Sequence, residues 1–311
     1  MVVPTALTLV LLLVVVIGGV GTLAAAALWL PRVAERGLDH TGIGHFWRCN
    51  SGNPGMPAWS PNGREIAYGK PTACGTKIAI VNLQSGKTRL VTKGFSDGLP
   101  DWPPDGQSLL YQDGADERRV NLATGTNTIV IHNIEEFGAR FSPGGRFIAY
   151  THGFMGSPFD GGDSTTSVYV KSVRTGRAWR VFGHDVNGGT PTWSSDGSHL
   201  AVEGFNGLYL VERSGGNPRR VLPLSVSTPG TPAWSVNGEI AFVEDGEIAK
   251  YGLITGKITV LANCSCGPQE DGVSWSPDGL RLAYSTQYGV FVISSTGTNK
   301  RQLAAYDTGG P

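Results

Sequence analysis

The sequence predicts an all-β fold, a six-bladed β-propeller of four-stranded blades preceded by one N-terminal transmembrane helix. Three observations predict it. One short motif recurs six times after residue 50, glycine and proline are too abundant for long soluble helices, and one uncharged apolar stretch stands at the start of the chain.

The composition of the 311 residues bounds the function as well as the fold. Charged residues make up 16%, and 25 basic residues balance 25 acidic ones. A generally basic nucleic-acid binder is therefore excluded. The 45 glycines and 19 prolines demand many tight turns, while 40% hydrophobic residues give enough apolar surface to offset chain entropy.

From Thr5 to Leu30 no residue carries a charge. At about 1.5 Å per residue such a helix exceeds the ~30 Å hydrocarbon core and spans it with tilt. Gly18, Gly19, Gly21 and Ala24 to Ala27 are small residues that suit helix packing or signal-peptidase recognition. The run is longer than a usual signal-peptide core and no Lys or Arg precedes it, which favours an uncleaved anchor over residues 1–31, followed by a linker over 32–50. Trp29 suits the interfacial belt and Pro31 ends the helix. Arg32 and Arg36 on the C-terminal flank point to a cytoplasmic body, whereas an even set of cysteines points to an oxidising compartment. The expectation is a single-pass membrane protein with an extracytoplasmic propeller.

The repeat defines residues 51–311. Its copies are Trp59-Ser-Pro-Asn-Gly63 with Ile66-Ala-Tyr68, Trp102-Pro-Pro-Asp-Gly106 with Leu109-Leu-Tyr111, and Phe141-Ser-Pro-Gly-Gly145 with Ile148-Ala-Tyr150. Then come Trp193-Ser-Ser-Asp-Gly197 with Leu200-Ala-Val202, Trp234-Ser-Val-Asn-Gly238 with Ile240-Ala-Phe242, and Trp275-Ser-Pro-Asp-Gly279 with Leu282-Ala-Tyr284. An interval of roughly 40 residues is a propeller-blade period. Ser-Pro-Asp-Gly supplies a type I turn between the first two strands, with glycine taking φ > 0. A second hairpin follows each triplet, as in Lys77 to Asn82, Gln84-Ser-Gly86 and Lys87 to Val91. Too few residues follow Trp275 for a seventh blade. Residues 40 to 50 are expected to add an outer strand to the last one.

These Trp-Ser-Pro-Asp-Gly copies resemble the TolB-like, or PD40, six-bladed propeller family over about residues 50 to 305. The resemblance implies a propeller used as a protein-interaction module or, in some relatives, beside a hydrolase domain. It also leads to the expectation that no TolB-type N-terminal α/β domain stands before this propeller.

Enzyme motifs are missing from the sequence: there is no Gly-x-Ser-x-Gly elbow, His-Glu-x-x-His helix or phosphate-binding Gly-Lys loop. The histidines His40, His45, His132, His152, His184 and His199 lack ligand spacing and suit surfaces and turns. Inter-blade loops should share one end of the ring with the second-to-third-strand loops. That end carries Asp97 and Asp101, Glu135 and Glu136, and Glu270 and Asp271, whose carboxylates could attract a cation or a basic peptide, or simply be solvated loop acids. The insertion Gly153 to Thr166 brings Phe154, Met155 and Phe159 to the same end, as a contact loop or a plug. Cys49, Cys74, Cys264 and Cys266 map there too. Of three possible pairings, Cys49 with Cys74 and Cys264 with Cys266 is preferred. The six leading aromatics should wedge between sheets.

The functional expectation is a membrane-anchored, non-catalytic scaffold that binds a protein or peptide at the cell envelope, with no cofactor and no nucleic acid. The alternative is a propeller hydrolase or lyase with a divalent cation at the channel mouth. The sequence leaves the oligomeric state open.

Overall fold

The computed structural model describes residues 55–306 apart from 73–74, 95–96, 115, 133–135, 154–165, 184–189, 205–206, 217, 223–230 and 265–271. The chain divides into two compact units, Met1–Arg48 and Cys49–Pro311, and every described residue belongs to the second. The expected anchor and linker lie outside the described residues. Among the described residues no helix is long and apolar enough to cross a membrane.

The fold is an all-β ring of six antiparallel four-stranded sheets, each formed by four consecutive strands. Blade 1 holds β1 to β4 (Ala58–Trp59, Glu65–Thr72, Gly75–Asn82, Thr88–Leu90). Blade 2 holds β5 to β8 (Asp97–Asp101, Ser108–Asp113, Asp116–Asn121, Asn127–His132). Blade 3 holds β9 to β12 (Glu136–Phe141, Phe147–His152, Ser167–Ser172, Ala178–Gly183), and blade 4 holds β13 to β16 (Thr192–Trp193, His199–Gly204, Gly207–Glu212, Arg219–Leu222). Blade 5 holds β17 to β20 (Ala233–Trp234, Glu239–Glu244, Glu247–Gly252, Ile258–Asn263), and blade 6 holds β21 to β24 (Val273–Trp275, Arg281–Thr286, Gly289–Ser294, Arg301–Ala305). The first strands touch in cyclic order, β1 to β5, β9, β13, β17, β21 and back to β1, which closes the ring around a central axis.

The apolar triplet follows from this architecture. A blade's second strand is covered on both faces, so alternate residues enter different seams and no polar position interrupts the run. Ile66 and Tyr68 pack toward blade 6 while Ala67 packs toward blade 2, and the same division holds for Leu109, Tyr111 and Leu110. The buried side chains form six clusters, one for each seam. The leading aromatics wedge into these seams as the repeat predicts. The indole Nε1 of Trp102 donates to Ala58 O at 3.1 Å, that of Trp193 to Arg140 O at 3.0 Å, and that of Trp275 to Ala233 O at 3.1 Å.

The repeated turns behave as their chemistry dictates. Gly63 N–H donates to Ser60 O at 2.9 Å with Gly63 at φ 67°, a left-handed conformation that costs glycine nothing. The Ser60 hydroxyl accepts Glu65 N–H at 2.9 Å. In blade 4 the Ser194 hydroxyl and the Ser198 N–H donate to Asp196 and hold its carboxyl well below the usual range. Each of these turns is tied to the hairpin between strands three and four, as Leu83 N–H to Arg64 O at 2.9 Å and Leu253 N–H to Gly238 O at 3.1 Å show. Both turn families therefore share one end of the ring, here termed the turn end. The second-to-third-strand hairpins occupy the opposite end.

At the closure, the fourth strand of blade 6 is β24, and residues 40 to 50, expected to add an outer strand to this blade, lie outside the described residues. Among the described residues blades 6 and 1 share no strand. Trp59 Nε1, whose counterparts in blades 2, 4 and 6 donate to the preceding blade, has no hydrogen-bond partner among them. Tyr306 takes over: it is 7% exposed, its ring centroid lies 6.1 Å from that of Tyr68, and its hydroxyl donates to Gly69 O at 3.3 Å.

Candidate functional site

Three of the acids predicted in connecting loops belong instead to inner strands. Asp97 and Glu136 are the first residues of β5 and β9, paired across the sheet with Asp113 and His152. Asp101 ends β5 and is held there by a bulge between Gly98 and Asp101, where Leu99 adopts φ 50°. Its carboxylate accepts Phe141 N–H at 2.9 Å, so it joins blade 2 to blade 3. Glu135, Glu270, Asp271, Phe154, Met155 and Phe159 lie outside the described residues, as do Cys49, Cys74 and Cys266. Cys264 is buried and disulfide-bonded, with Sγ 3.2 Å from Gly246 O; its partner lies outside the described residues.

The seam between blades 2 and 3 contains a residue the sequence reasoning passed over. Glu117 on β7 is 1% exposed. The strand registers align it with Ile78, Val168, Leu208, Ile248 and Val290, so five blades place an aliphatic side chain where blade 2 places a carboxylate. Local chemistry permits the exception. Two residues before the leading aromatic, blades 1, 2, 4 and 5 carry proline (Pro57, Pro100, Pro191 and Pro232) and offer no N–H there, whereas blade 3 has Ala139 and blade 6 has Val273. Gly138 and Ala139 fall in the irregular part of the β9–β10 ladder, and Ala139 N–H donates to Glu117 Oε1 at 3.1 Å. Among the described residues Glu117 Oε2 has no hydrogen-bond partner.

Arg140 completes this group by donating to Leu99 O at 3.1 Å and Ala139 O at 3.3 Å. Burial pushes the Glu117 carboxyl up to about 7; the Ala139 N–H and the Arg140 charge oppose the shift, and the Asp101 charge adds to it. Burial also raises Asp101, against Arg140 and the N–H groups of Phe141 and Trp102. Asp101 keeps some contact with solvent although protein surrounds it, as befits an inner strand. A general acid must touch its substrate. Glu117 is sealed inside the seam, so its chemistry here is that of a joint between blades.

At the opposite end, Arg118 bridges Asp113 at 3.0 Å and Asp116 at 2.8 Å, and the exposed His132 ring pairs with Asp116 through Nδ1. Hydrogen bonding from His132, with the charge of Arg118, holds the Asp116 carboxyl below its usual range. In blade 5 the hairpin Glu244-Asp245-Gly246-Glu247 turns through Asp245 at φ 51° and Gly246 at φ 76°, a two-residue turn of the primed kind. It adds three acids to this end that the sequence analysis did not single out, although Asp-Gly between two hydrophobic runs is a hairpin signal. Among the described residues no three His, Cys, Asp or Glu side chains form a group that could hold a metal ion. Asp113 and Asp116 are paired with Arg118 and His132, and the blade 1 hairpin of this end carries Lys70 and Lys77, so the acidic surface here that suits electrostatic recognition of a basic group is the blade 5 hairpin.

No protein-family model matches the chain. The Tol-Pal system protein TolB of Gluconobacter oxydans is 30% identical to it over 96 residues, which are 30% of this chain and 21% of that protein. The match thus spans about a fifth of the relative's length. Among solved structures, TolB from Acinetobacter baumannii superposes with a TM-score of 0.60 at 18% identity, over 80% of this chain and 62% of that one. An oligogalacturonate lyase in complex with manganese superposes with a TM-score of 0.58 at 16% identity, over 82% and 77%. At such identities the structures share the fold. The fold shared with these structures is the six-bladed propeller, the fold that the TolB structure also carries.

Proposed function

We propose that this TolB-like propeller is a non-catalytic scaffold, anchored by its N-terminal segment at the cell envelope, that binds a protein or peptide at the end opposite the turn end. The observation that carries the reading is the acidic blade 5 hairpin of that end, Glu244, Asp245 and Glu247, in a chain of zero formal net charge. The insertion Gly153 to Thr166 and the remaining predicted acids belong to the proposed surface. The likeness to TolB supports a protein partner in general. A photo-crosslinking aromatic at Tyr288, 56% exposed on the blade 6 hairpin of this end, is expected to give a discrete adduct in native membranes. Replacing residues 154–165 with a two-residue Asn-Gly turn, a deletion that keeps the hairpin closed, should abolish the adduct without changing the thermal midpoint. No adduct from this end, or an unchanged adduct after the deletion, would refute the site.

The competing reading is a metal-dependent lyase or hydrolase, favoured by the likeness to the manganese-bound lyase. Titration with manganese or calcium separates the two. The scaffold reading expects no thermal shift, whereas saturation at about 100 times the dissociation constant would stabilise a binding protein by about 2.7 kcal/mol.

A further inference from the structure

The turn end differs from the opposite end in charge and in surface chemistry. Exposed basic residues recur on its outer hairpins and strands: Lys87 in blade 1, Arg174 and Arg177 in blade 3, Arg219 in blade 4, and Lys257 in blade 5. Among the described residues none of these five has an ion-pair or hydrogen-bond partner through its side chain. The acids of this end are otherwise engaged. Glu65 faces Arg89 at 3.4 Å, Asp105 faces Arg119 at 2.6 Å, Glu239 faces Lys250 at 2.8 Å, and Asp196 is held by two serines.

Aliphatic side chains protrude from the same end. Ile254 is 93% exposed at the tip of the blade 5 hairpin, and Ile258, Val236 and Leu280 are about half exposed around it. Val236 takes the place of the turn proline and reaches the Gly279 turn of blade 6, so the apolar tips of the two blades adjoin. Arg219 of blade 4 and Lys257 of blade 5 are the exposed cations of these neighbouring blades.

From this arrangement we infer that the turn end of blades 4 to 6 is a second docking face, one that seats on an anionic lipid bilayer. Unpaired cations gain from a negative surface potential, and aliphatic tips gain from the acyl boundary just beneath it. The tips are convex projections, which a headgroup layer accommodates and a rigid protein partner would have to match with pockets. Nucleic acid would set phosphates against Ile254 and, among the described residues, would find no large exposed aromatic ring here for stacking, since the exposed Tyr288 belongs to the other end. The inference uses neither the N-terminal segment nor the partner surface proposed above.

The test uses the full chain reconstituted in nanodiscs of phosphatidylcholine alone or mixed with phosphatidylglycerol, each containing a headgroup nitroxide quencher lipid. A dye is placed at Ser214→Cys on the turn end or at Tyr288→Cys on the other. The expected result is quenching at position 214 about threefold stronger with phosphatidylglycerol, reversed by high salt and abolished by the pair Arg219→Glu and Lys257→Glu. Ile254→Ser should weaken it severalfold. Equal quenching in both lipids, or quenching at position 288 in place of 214, would overturn the inference. So would displacement by a short DNA duplex with no effect of Ile254→Ser, which would make the face a general polyanion surface. Each of these outcomes leaves the crosslinking result at the opposite end unaffected.

Discussion

Replacing Tyr306 with alanine is expected to destabilise the ring by about 3–5 kcal/mol, the range for truncating a large buried aromatic side chain. The effect should concentrate at one seam. Blades 1 and 6 share no strand, Trp59 Nε1 makes no bond across the junction, and Tyr306 bonds Gly69 O and packs on Tyr68. The Ser285 hydroxyl donating to Gly55 O at 2.9 Å and Trp59 N–H donating to Ser274 Oγ at 3.3 Å remain to hold it. Tyr306→Phe should lose only the hydrogen bond, about 0.5–1.5 kcal/mol. Urea midpoints give the totals, and hydrogen exchange locates them. Faster exchange confined to blades 1 and 6 is the predicted pattern; a uniform increase around the ring, or a loss below 1 kcal/mol for alanine, would show that the seam does not depend on this residue.

The second large effect is a dependence of stability on pH. Glu117 has a folded pKa of about 7 against an ordinary value of 4.5. Between these values the folded state keeps a proton that the unfolded state releases. Stability from this group is therefore greatest below about pH 4.5, declines as pH rises toward 7 and is level above, a loss of about 3 kcal/mol at 1.36 kcal/mol per unit. Glu117→Gln keeps an oxygen for the Ala139 N–H and removes the ionisation. Its expected gain at pH 8 is about 1–3 kcal/mol, with the unpaired amide nitrogen reducing the full value, and the decline between pH 4.5 and 7 should flatten. A variant less stable than the parent at pH 8 would mean that Arg140 makes a charged Glu117 favourable.

Much of the ring was legible because its determinants are local and repeated. The turn Ser60 to Gly63 needs only a serine hydroxyl, a proline and a glycine close in sequence, and the triplet Ile66-Ala67-Tyr68 already states that both faces of its strand are covered. How blade 6 meets blade 1 was not legible, because it depends on contacts between residues more than 200 apart in sequence, such as Tyr306 with Gly69. Asp101 was read as an inter-blade loop acid, but it ends strand β5, where Pro100 precedes it. An inner strand with its free edge toward the axis tolerates that proline. Glu117 could have been found by aligning the third strands, where it alone replaces an aliphatic residue.

The sequence by itself determined the number of blades, the position of the turns and the residues that fill the seams, since a periodic pattern of apolar and turn residues admits few solutions when every blade must be buried on both sides. Only the tertiary structure decided what the charged residues do. It placed Glu117 and Asp101 in the joint between blades 2 and 3 beside Arg140, left acids on the hairpins of one end, and gathered unpaired arginines and lysines with bare aliphatic tips at the other. The reason is physical. Apolar burial follows from short-range periodicity, but the free energy of a charge is set by its solvent exposure and by neighbours brought from distant segments, which no local pattern records.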